Sequence, residues 1–148
     1  MCYSAKIIAN YRKYVREHGA YLDIDEWYDL FERRTREAFE AKLPKGLEIS
    51  FMQDIDERMS GIRRLIEEYN RSLEPGLQEK LFSQKKRLAD AERKLAVKPT
   101  KTAAEDQRIA TNKIGQFLTK LHDLRRTEPN DGLDVRIFPG SYAPVMVW

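Results

Sequence analysis

The stretch LQEKLFSQKKRLADAERKLAV, residues 77–97, decides how the middle of this chain folds. Leucines at positions 81, 88 and 95 recur every seven residues, a spacing that places them along one face of a helix. The stretch TAAEDQRIATNKIGQFLTKLHDLRR, residues 102–126, repeats this period at Ala103, Ala110, Phe117 and Leu124. Because only residues 98–101 connect the two patterns, the sequence predicts an antiparallel helical hairpin over 77–127.

The composition bounds the class of protein. With 148 residues, 41% of them hydrophobic and 34% charged, the chain is long enough for one domain with a buried core, and we expect a single unit over 1–148. The fold is predicted to be mainly α, with a few short β-strands near the termini. No apolar run approaches the roughly 18 residues of a membrane span, so we expect no membrane partner and a cytoplasmic protein. The single cysteine excludes an intrachain disulfide and suits a reducing compartment.

Three segments before the hairpin carry helical patterns. The first ends at His18-Gly19, where glycine can cap a helix C-terminus. The second, 24–43, begins with an acidic turn, and Pro44 is predicted to end it. Its apolar stripe, which we expect in the core, consists of Trp27, Leu30, Phe31 and Ala38. The third, 49–73, is predicted to be one helix of four turns or more, with an apolar face of Ile55, Met59, Ile62, Leu65, Ile66 and Tyr69.

Two local signals bear on where the hairpin helices begin. The pair Pro75-Gly76 is predicted to break or kink the chain before 77–97, since proline lacks an N–H group and clashes with the preceding turn. Thr102, followed by Glu105 three residues later, matches a capping box at the start of the second helix.

The last segment, 133–148, has a different character. The runs VRIF, residues 135–138, and VMVW, residues 145–148, are predicted to form two short strands around a turn. A hydrophobic strand at the end of a chain would leave an exposed edge, which proteins usually avoid. We therefore expect this segment to join a larger sheet, completed by a downstream segment or by a partner chain.

Positive charge is concentrated in the hairpin segment. Residues 77–127 hold thirteen Lys and Arg against six Asp and Glu, a net charge of +7, whereas the rest of the chain carries −4. A basic helical face attracts phosphate backbones, and the candidate contacts are Lys85, Lys86 and Arg87. Such residues also commonly do no more than solvate the exposed faces of long helices, and the charge pattern fits both interpretations.

The only cysteine, Cys2, follows the initiator methionine directly. Removal of Met1 would give this residue a free α-amine beside its thiol. An α-amine titrates near pH 7.7–8 and a thiol near 8.5, so a minority of each group is nucleophilic at neutral pH. The two groups together can close on the carbon of an aldehyde to form a thiazolidine ring. Cys2 is therefore the candidate catalytic residue.

A family resemblance becomes visible when these segments are taken in order. The start MCYSA, the helical segments QKKRLADAERKL and RIAT, and the exit LRRTEP with RIFPGSYAPVMVW resemble the SOS response-associated peptidase (SRAP) family. The similarity runs along the whole chain and covers the N-terminal part of such a domain. The hairpin would then be an insertion between the first strand and the next.

This resemblance implies an α+β fold around a positively charged groove. It also implies that Cys2, once exposed, captures the ring-opened aldehyde of an abasic site in single-stranded DNA as a thiazolidine crosslink, and that the protein removes the residue before Cys2 by self-processing. Arg136, in the exit segment, is a further candidate for contact with DNA. No cofactor and no metal are implied. The family's other catalytic groups would lie beyond the APVMV strand, so we expect activity in an intact parent protein and little in residues 1–148 alone.

The residues by themselves leave a second class of function open. In this alternative the chain is a noncatalytic helical module whose basic face binds nucleic acid or an acidic protein, and Cys2 is incidental. Neither His18 nor His122 lies in a catalytic motif, and each is expected to be a surface or packing residue.

Overall fold

The computed structural model describes residues 5–6, 11–19, 23–37, 42–130, 134, 136–137 and 140–142. The chain forms two compact units. One comprises Met1–Tyr69 together with Thr127–Trp148, and the other comprises Asn70–Arg126. Among the described residues, no helix is both long enough and apolar enough to cross a membrane.

The described residues are mainly helical, which confirms the predicted class at that level. Five α-helices are present in this part of the chain: α1 Tyr11–His18, α2 Ile24–Arg36, α3 Lys45–Met52, α4 Ser60–Val97 and α5 Lys101–Arg125. A short 3₁₀ helix, Glu57–Met59, precedes α4, and two strands, β1 Ala5–Lys6 and β2 Arg136–Ile137, complete the described elements.

Helix α1 ends where the sequence predicts. Gly19 follows its last residue with φ of +61°, in the left-handed region that costs glycine nothing because it has no Cβ. Apart from Gly19 and its chain neighbours, no atom of a described residue lies within 4 Å of the position a Cβ would take there, so the turn itself, and not crowding, favours glycine.

Helix α2 is shorter than predicted. Its start is capped by Asp23, whose side chain accepts hydrogen bonds from the backbone N–H groups of Asp25 at 3.0 Å and Glu26 at 3.2 Å. It ends at Arg36 and not at Leu43. Further on, the carbonyl of Lys42 accepts a hydrogen bond from the Tyr142 N–H at 2.9 Å, and this pairing with a distant segment overrides local helix propensity.

Pro44 also has a different role from the one predicted. It does not end α2 but stands at the N-cap of α3, where its φ of −59° leads into the helix. Proline suits a helix start because its missing N–H would have no partner within the helix there.

The core of the first unit confirms the aromatic stripe of α2. Phe31 is fully buried and meets the ring of Phe51 edge-on, with their centroids 5.8 Å apart. The Trp27 ring lies 5.5 Å from that of Phe51. The rest of the buried cluster comprises Leu47, Met59, Ile62, Leu65 and Ile66. Ala38 lies outside the described residues.

The single helix predicted over 49–73 is wrong, because α3 ends at Met52 and α4 begins at Ser60. Two aspartates hold the chain in tight turns between them. The Asp54 carboxylate accepts the Asp56 N–H at 2.8 Å, and the Asp56 carboxylate accepts the Arg58 N–H at 3.0 Å. Such local bonds compete with helix formation. Ile55, expected on the apolar face, is consequently 88% exposed.

The hydrogen bonds at Asp56 allow a prediction of how stability depends on pH. Hydrogen bonds from the Arg58 side chain and then from its backbone N–H lower the pKa of Asp56 from 3.8 to about 2. Since the folded-state pKa is depressed, the ionised carboxylate favours the fold above pH 3.8, and this contribution is lost as the pH falls through about 2. An NMR titration should show the low midpoint, and Arg58→Ala should return it toward 3.8. An unchanged midpoint in that variant would rule out the Arg58 side chain as the main cause.

The break predicted at Pro75-Gly76 is also wrong. Helix α4 runs without interruption through both residues. Proline removes the hydrogen bond to the carbonyl of Arg71 one turn earlier, but Arg71, Pro75 and Gly76 are all exposed, so water can satisfy that carbonyl. A helix of 38 residues has enough other backbone hydrogen bonds to continue past the one that proline removes.

Helix α5 begins two residues earlier than the capping-box pattern predicts. Thr100, and not Thr102, is the N-cap, and its hydroxyl accepts the Ala103 N–H at 3.2 Å. Glu105 binds Arg108 and does not reach back to the start of the helix.

Two side-chain pairs join α4 to α5 within the second unit. Arg87 of α4 donates to Asp106 of α5 at 2.5 Å, and Arg125 of α5 donates to Glu74 of α4. As residue numbers rise along α4, those of the partners fall along α5, which is the order that antiparallel helices give. The buried residues of this unit are Ala91, Ala103, Ala110 and Leu121.

The small residues buried in the α4–α5 pair, which we call the seam, allow a test of how the two helices pack. Ala110 is 0% exposed, so Ala110→Leu should crowd the seam and destabilise the fold by about 1–3 kcal/mol. Ala104, six positions earlier on α5, is exposed, and Ala104→Leu is the matched control with the same added volume. Thermal unfolding followed by circular dichroism compares the two. Equal melting temperatures for both variants would show that Ala110 does not limit the packing.

Candidate functional site: the terminal strand pair and the basic helices

Strands from the two ends of the sequence pair with each other. β1 and β2 are antiparallel, with Ala5 opposite Ile137 and Lys6 opposite Arg136. A parallel bridge pairs Lys42 with Ser141, which lies four residues after β2. The predicted strand in 135–138 is thus present at Arg136–Ile137, whereas the VMVW run at 145–148 lies outside the described residues. The larger sheet expected for 133–148 stays a prediction.

The turn that leads into β2 is held by a buried carboxylate. Asp134 is 5% exposed, and its side chain accepts the Asn130 N–H at 2.5 Å. The Asp134 N–H in turn donates to the Asn130 carbonyl at 2.9 Å. Two reciprocal bonds close this turn, which fixes the backbone two residues before Arg136. Arg136 itself is exposed.

Cys2, the predicted catalytic residue, lies outside the described residues, and β1 begins three positions after it. Its assignment depends on the sequence. What the structure describes is the strand that follows it and the arginine across from that strand. Of the predicted site residues, Arg136 is therefore the one associated with the N-terminal strand, through the Lys6–Arg136 register.

The other residues predicted to contact a phosphate backbone lie in the second unit on α4, and they are Lys85, Lys86 and Arg87. Consecutive residues of an α-helix project about 100° apart, so these three spread over about 200° and do not share one face. Lys85 and Lys86 are exposed. Arg87 is half-buried and bound to Asp106, so part of its role is to join the two helices.

The sequence did not indicate which charged residues of this unit form ion pairs and which do not. Most arginines are in ion pairs, which are Arg87–Asp106, Arg93–Asp90, Arg108–Glu105, Arg125–Glu74 and Arg126–Asp123. These pairs use five of the carboxylates. Exposed lysines without an ion pair to any described residue then carry the net positive charge, and they are Lys80, Lys85, Lys86, Lys94, Lys98, Lys101, Lys113 and Lys120.

Two ion pairs with buried carboxylates in the first unit were also not predicted. Arg34 donates to Glu48 at 2.5 Å, with side-chain exposures of 3% and 9%. Arg12 binds the fully buried carboxylate of Asp54 through both its Nε and Nη2 atoms. Both pairs connect residues far apart in sequence, so no periodicity or spacing could have indicated them. They join helix to helix and helix to turn, and we assign them structural roles.

Metal chemistry has no candidate among the described residues. No three His, Cys, Asp or Glu side chains cluster there in a way that could hold an ion. His18 and His122 are exposed and lie in different units.

Comparison of the chain with models of known protein families, with curated proteins and with solved structures gives no match.

Proposed function

We propose that the chain is the N-terminal part of a SRAP-type protein that captures abasic sites in single-stranded DNA through Cys2. After loss of Met1, the α-amine of Cys2 attacks the sugar aldehyde and forms a Schiff base with release of water. The thiolate then adds to the same carbon, and the nitrogen takes up a proton. Both bonds end on one carbon, so the product is a closed thiazolidine ring that joins protein to DNA.

The observation that carries this proposal is the pairing of β1 with β2. The resemblance implies a helical region inserted between the first strand of the domain and a later one. A strand that starts three residues after Cys2 and pairs with a strand near residue 136 has this topology, since the described helices lie between the two in sequence. Three residues of chain span at most about 11 Å, so the proposal puts the reacting thiol near this strand pair.

Arg136 has a supporting role in the proposal. It is exposed in β2 opposite Lys6, and the preceding turn fixes its backbone. A guanidinium there would bind a DNA phosphate next to the lesion and hold the aldehyde close to the nucleophile. Self-processing, the other activity that the resemblance implies, would expose the same α-amine.

The direct test uses the parent protein with Met1 removed and a single-stranded oligonucleotide that carries one abasic site. We expect an adduct that withstands heat and denaturant on a gel. Protein that retains Met1 has a blocked amine and should give none. Reduction of the DNA aldehyde to an alcohol before mixing should also prevent the adduct. An adduct that persists with reduced DNA would rule out aldehyde capture.

A second candidate function is a noncatalytic module that binds nucleic acid or an acidic protein through the second unit. The unpaired lysines of that unit favour it, because they carry charge that no described carboxylate neutralises. In this case binding needs neither Cys2 nor damaged DNA. The two functions separate on abasic DNA, where only capture by the aminothiol gives a link that survives denaturation.

A further inference from the structure

The Arg87–Asp106 pair identifies one flank of the α4–α5 pair. Its two side chains meet across the helices, so both point to the same side of the seam. Lys80 and Lys94 lie seven residues before and after Arg87 on α4. Seven residues make nearly two full turns and shift a side chain by only about 20°, so these lysines point to the same flank.

The same rule applies to α5. Lys113 and Lys120 lie seven and fourteen residues after Asp106, and both are exposed. Because the helices are antiparallel, Lys113 lies at the level of Lys80. The cations therefore form one row, which we call the lysine flank: Lys94, Arg87, Lys80 with Lys113, and Lys120. With a rise of about 10.5 Å per seven residues, the row extends about 30 Å.

The lysine flank lacks free negative charge. The four lysines have no ion pair with any described residue, and Asp106, the carboxylate on this flank, is bound to Arg87. Of the nearby carboxylates, Asp90 is bound to Arg93 and Asp123 to Arg126. Glu79 and Glu92 point away, about 100° and 140° around α4 from Lys80 and Arg87.

An aromatic ring lies within the row. Phe117 is half-buried, four residues after Lys113 and three before Lys120. The Lys120 ammonium lies 6.0 Å from the centroid of that ring, which favours one position of a long flexible side chain. The row thus combines point charges with a partly exposed ring, the combination found where proteins follow a single nucleic-acid strand.

We propose that the lysine flank binds the phosphodiester backbone of single-stranded nucleic acid. Lysines are point charges without the bidentate geometry that reads bases, so the contact is independent of sequence. A duplex winds around its own axis and would meet a straight row over part of a turn, whereas a flexible strand can follow it for 30 Å. The site does not involve Cys2, so it stands whether or not the capture reaction does.

The test measures equilibrium binding of the full chain, with Cys2→Ala to exclude crosslinking, to an undamaged single-stranded oligonucleotide at several salt concentrations. Each lost phosphate contact should reduce the slope of log K against log salt by about 0.7. Lys80→Gln with Lys94→Gln should therefore lower the slope by about 1.4, and adding Lys113→Gln and Lys120→Gln should lower it by about 2.8.

The matched control is Lys85→Gln with Lys86→Gln, which removes the same charge from exposed positions of the same helix but off the flank. It should change the slope by less than half as much as the Lys80 and Lys94 pair. Equal slopes for the two pairs, or a larger effect at Lys85 and Lys86, would overturn the proposal. Tighter binding to polyglutamate or to anionic vesicles than to the oligonucleotide would also overturn it, in favour of an acidic protein or a lipid surface.

Discussion

The Cys2→Ala variant of the processed parent protein should form no heat-stable adduct with abasic single-stranded DNA, whereas the wild type should form it readily. The variant keeps its α-amine and can still make a Schiff base with the aldehyde. It has no second nucleophile to close the ring, so the link remains reversible and hydrolyses on denaturation. The expected change is from a strong band on a denaturing gel to none.

Cys2→Ser provides the sharper comparison, because it retains the size and polarity of the side chain. A hydroxyl is a much poorer nucleophile than a thiolate at neutral pH, so ring closure should fail here too. Borohydride reduces a Schiff base to a stable amine, and both variants should give a trapped product in its presence. A trapped product would show that the variants still bind the DNA and form the Schiff base. The lost band would then be due to the failure of ring closure.

The 148-residue chain should react slowly even with Met1 removed. Groups that the resemblance places further along the parent protein would assist proton transfer, which is typically worth about 10²–10⁴ in rate. If wild type, Cys2→Ala and Cys2→Ser all lacked adducts but bound intact DNA with the same salt dependence, capture would be excluded. The noncatalytic module would then be the function that remains.

The periodic features of the sequence correctly predicted a mainly helical chain. The apolar stripe of α2 and the buried alanines of α5 follow from spacing, because burial of one helix face requires that spacing. The glycine after α1 follows from the left-handed turn that ends the helix. The errors occurred where single side chains outweigh periodicity. Asp54 and Asp56 interrupt an apolar pattern with local hydrogen bonds, and Pro75, a strong helix breaker in isolation, is tolerated on the exposed side of a long helix.

For the candidate site too, part could be predicted from the sequence and part could not. The reactivity that we propose for Cys2 rests on residue type and position, so the sequence alone suggests it. The sequence alone does not suggest the lysine flank. Lys85, Lys86 and Arg87 form the densest basic run, and yet they point in different directions. The relevant lysines are dispersed over 40 residues, and only the contact between Arg87 and Asp106 shows that two sets of them share a flank.

The buried pair Arg34–Glu48 should have the largest effect on stability. Arg34 is enclosed in the core of the first unit, with its guanidinium carbon 3.9 Å from the centroid of the Tyr69 ring. Its Nη1 donates to Glu48, while its Nε and Nη2 have no hydrogen-bond partner among the described residues. Glu48 thus supplies the one carboxylate contact that the structure gives this cation. Its loss leaves a buried charge uncompensated.

Glu48→Gln should therefore destabilise the protein by about 3–5 kcal/mol, the usual cost of breaking a buried pair from one side. Arg34→Met should cost less, because the Glu48 carboxylate keeps a second cation, Lys45, at 3.3 Å. Combining Arg34→Met with Glu48→Leu removes both charges and should recover much of the loss. Arg36→Gln is the control, since Arg36 lies on the same helix, pairs with Glu32 and is 66% exposed, and it should cost less than about 1 kcal/mol.

Urea unfolding, followed by the fluorescence of Trp27 in a Trp148→Phe background, measures these changes where they arise. Trp27 lies 6.3 Å from Phe31, which itself contacts the Arg34 guanidinium, so its emission reports on the core that holds the pair. The ordering of the four variants is the informative result. If Glu48→Gln unfolded at the same urea concentration as Arg36→Gln, the Arg34 charge would have to be solvated in the folded protein. The buried pair would then not be what joins α2 to α3.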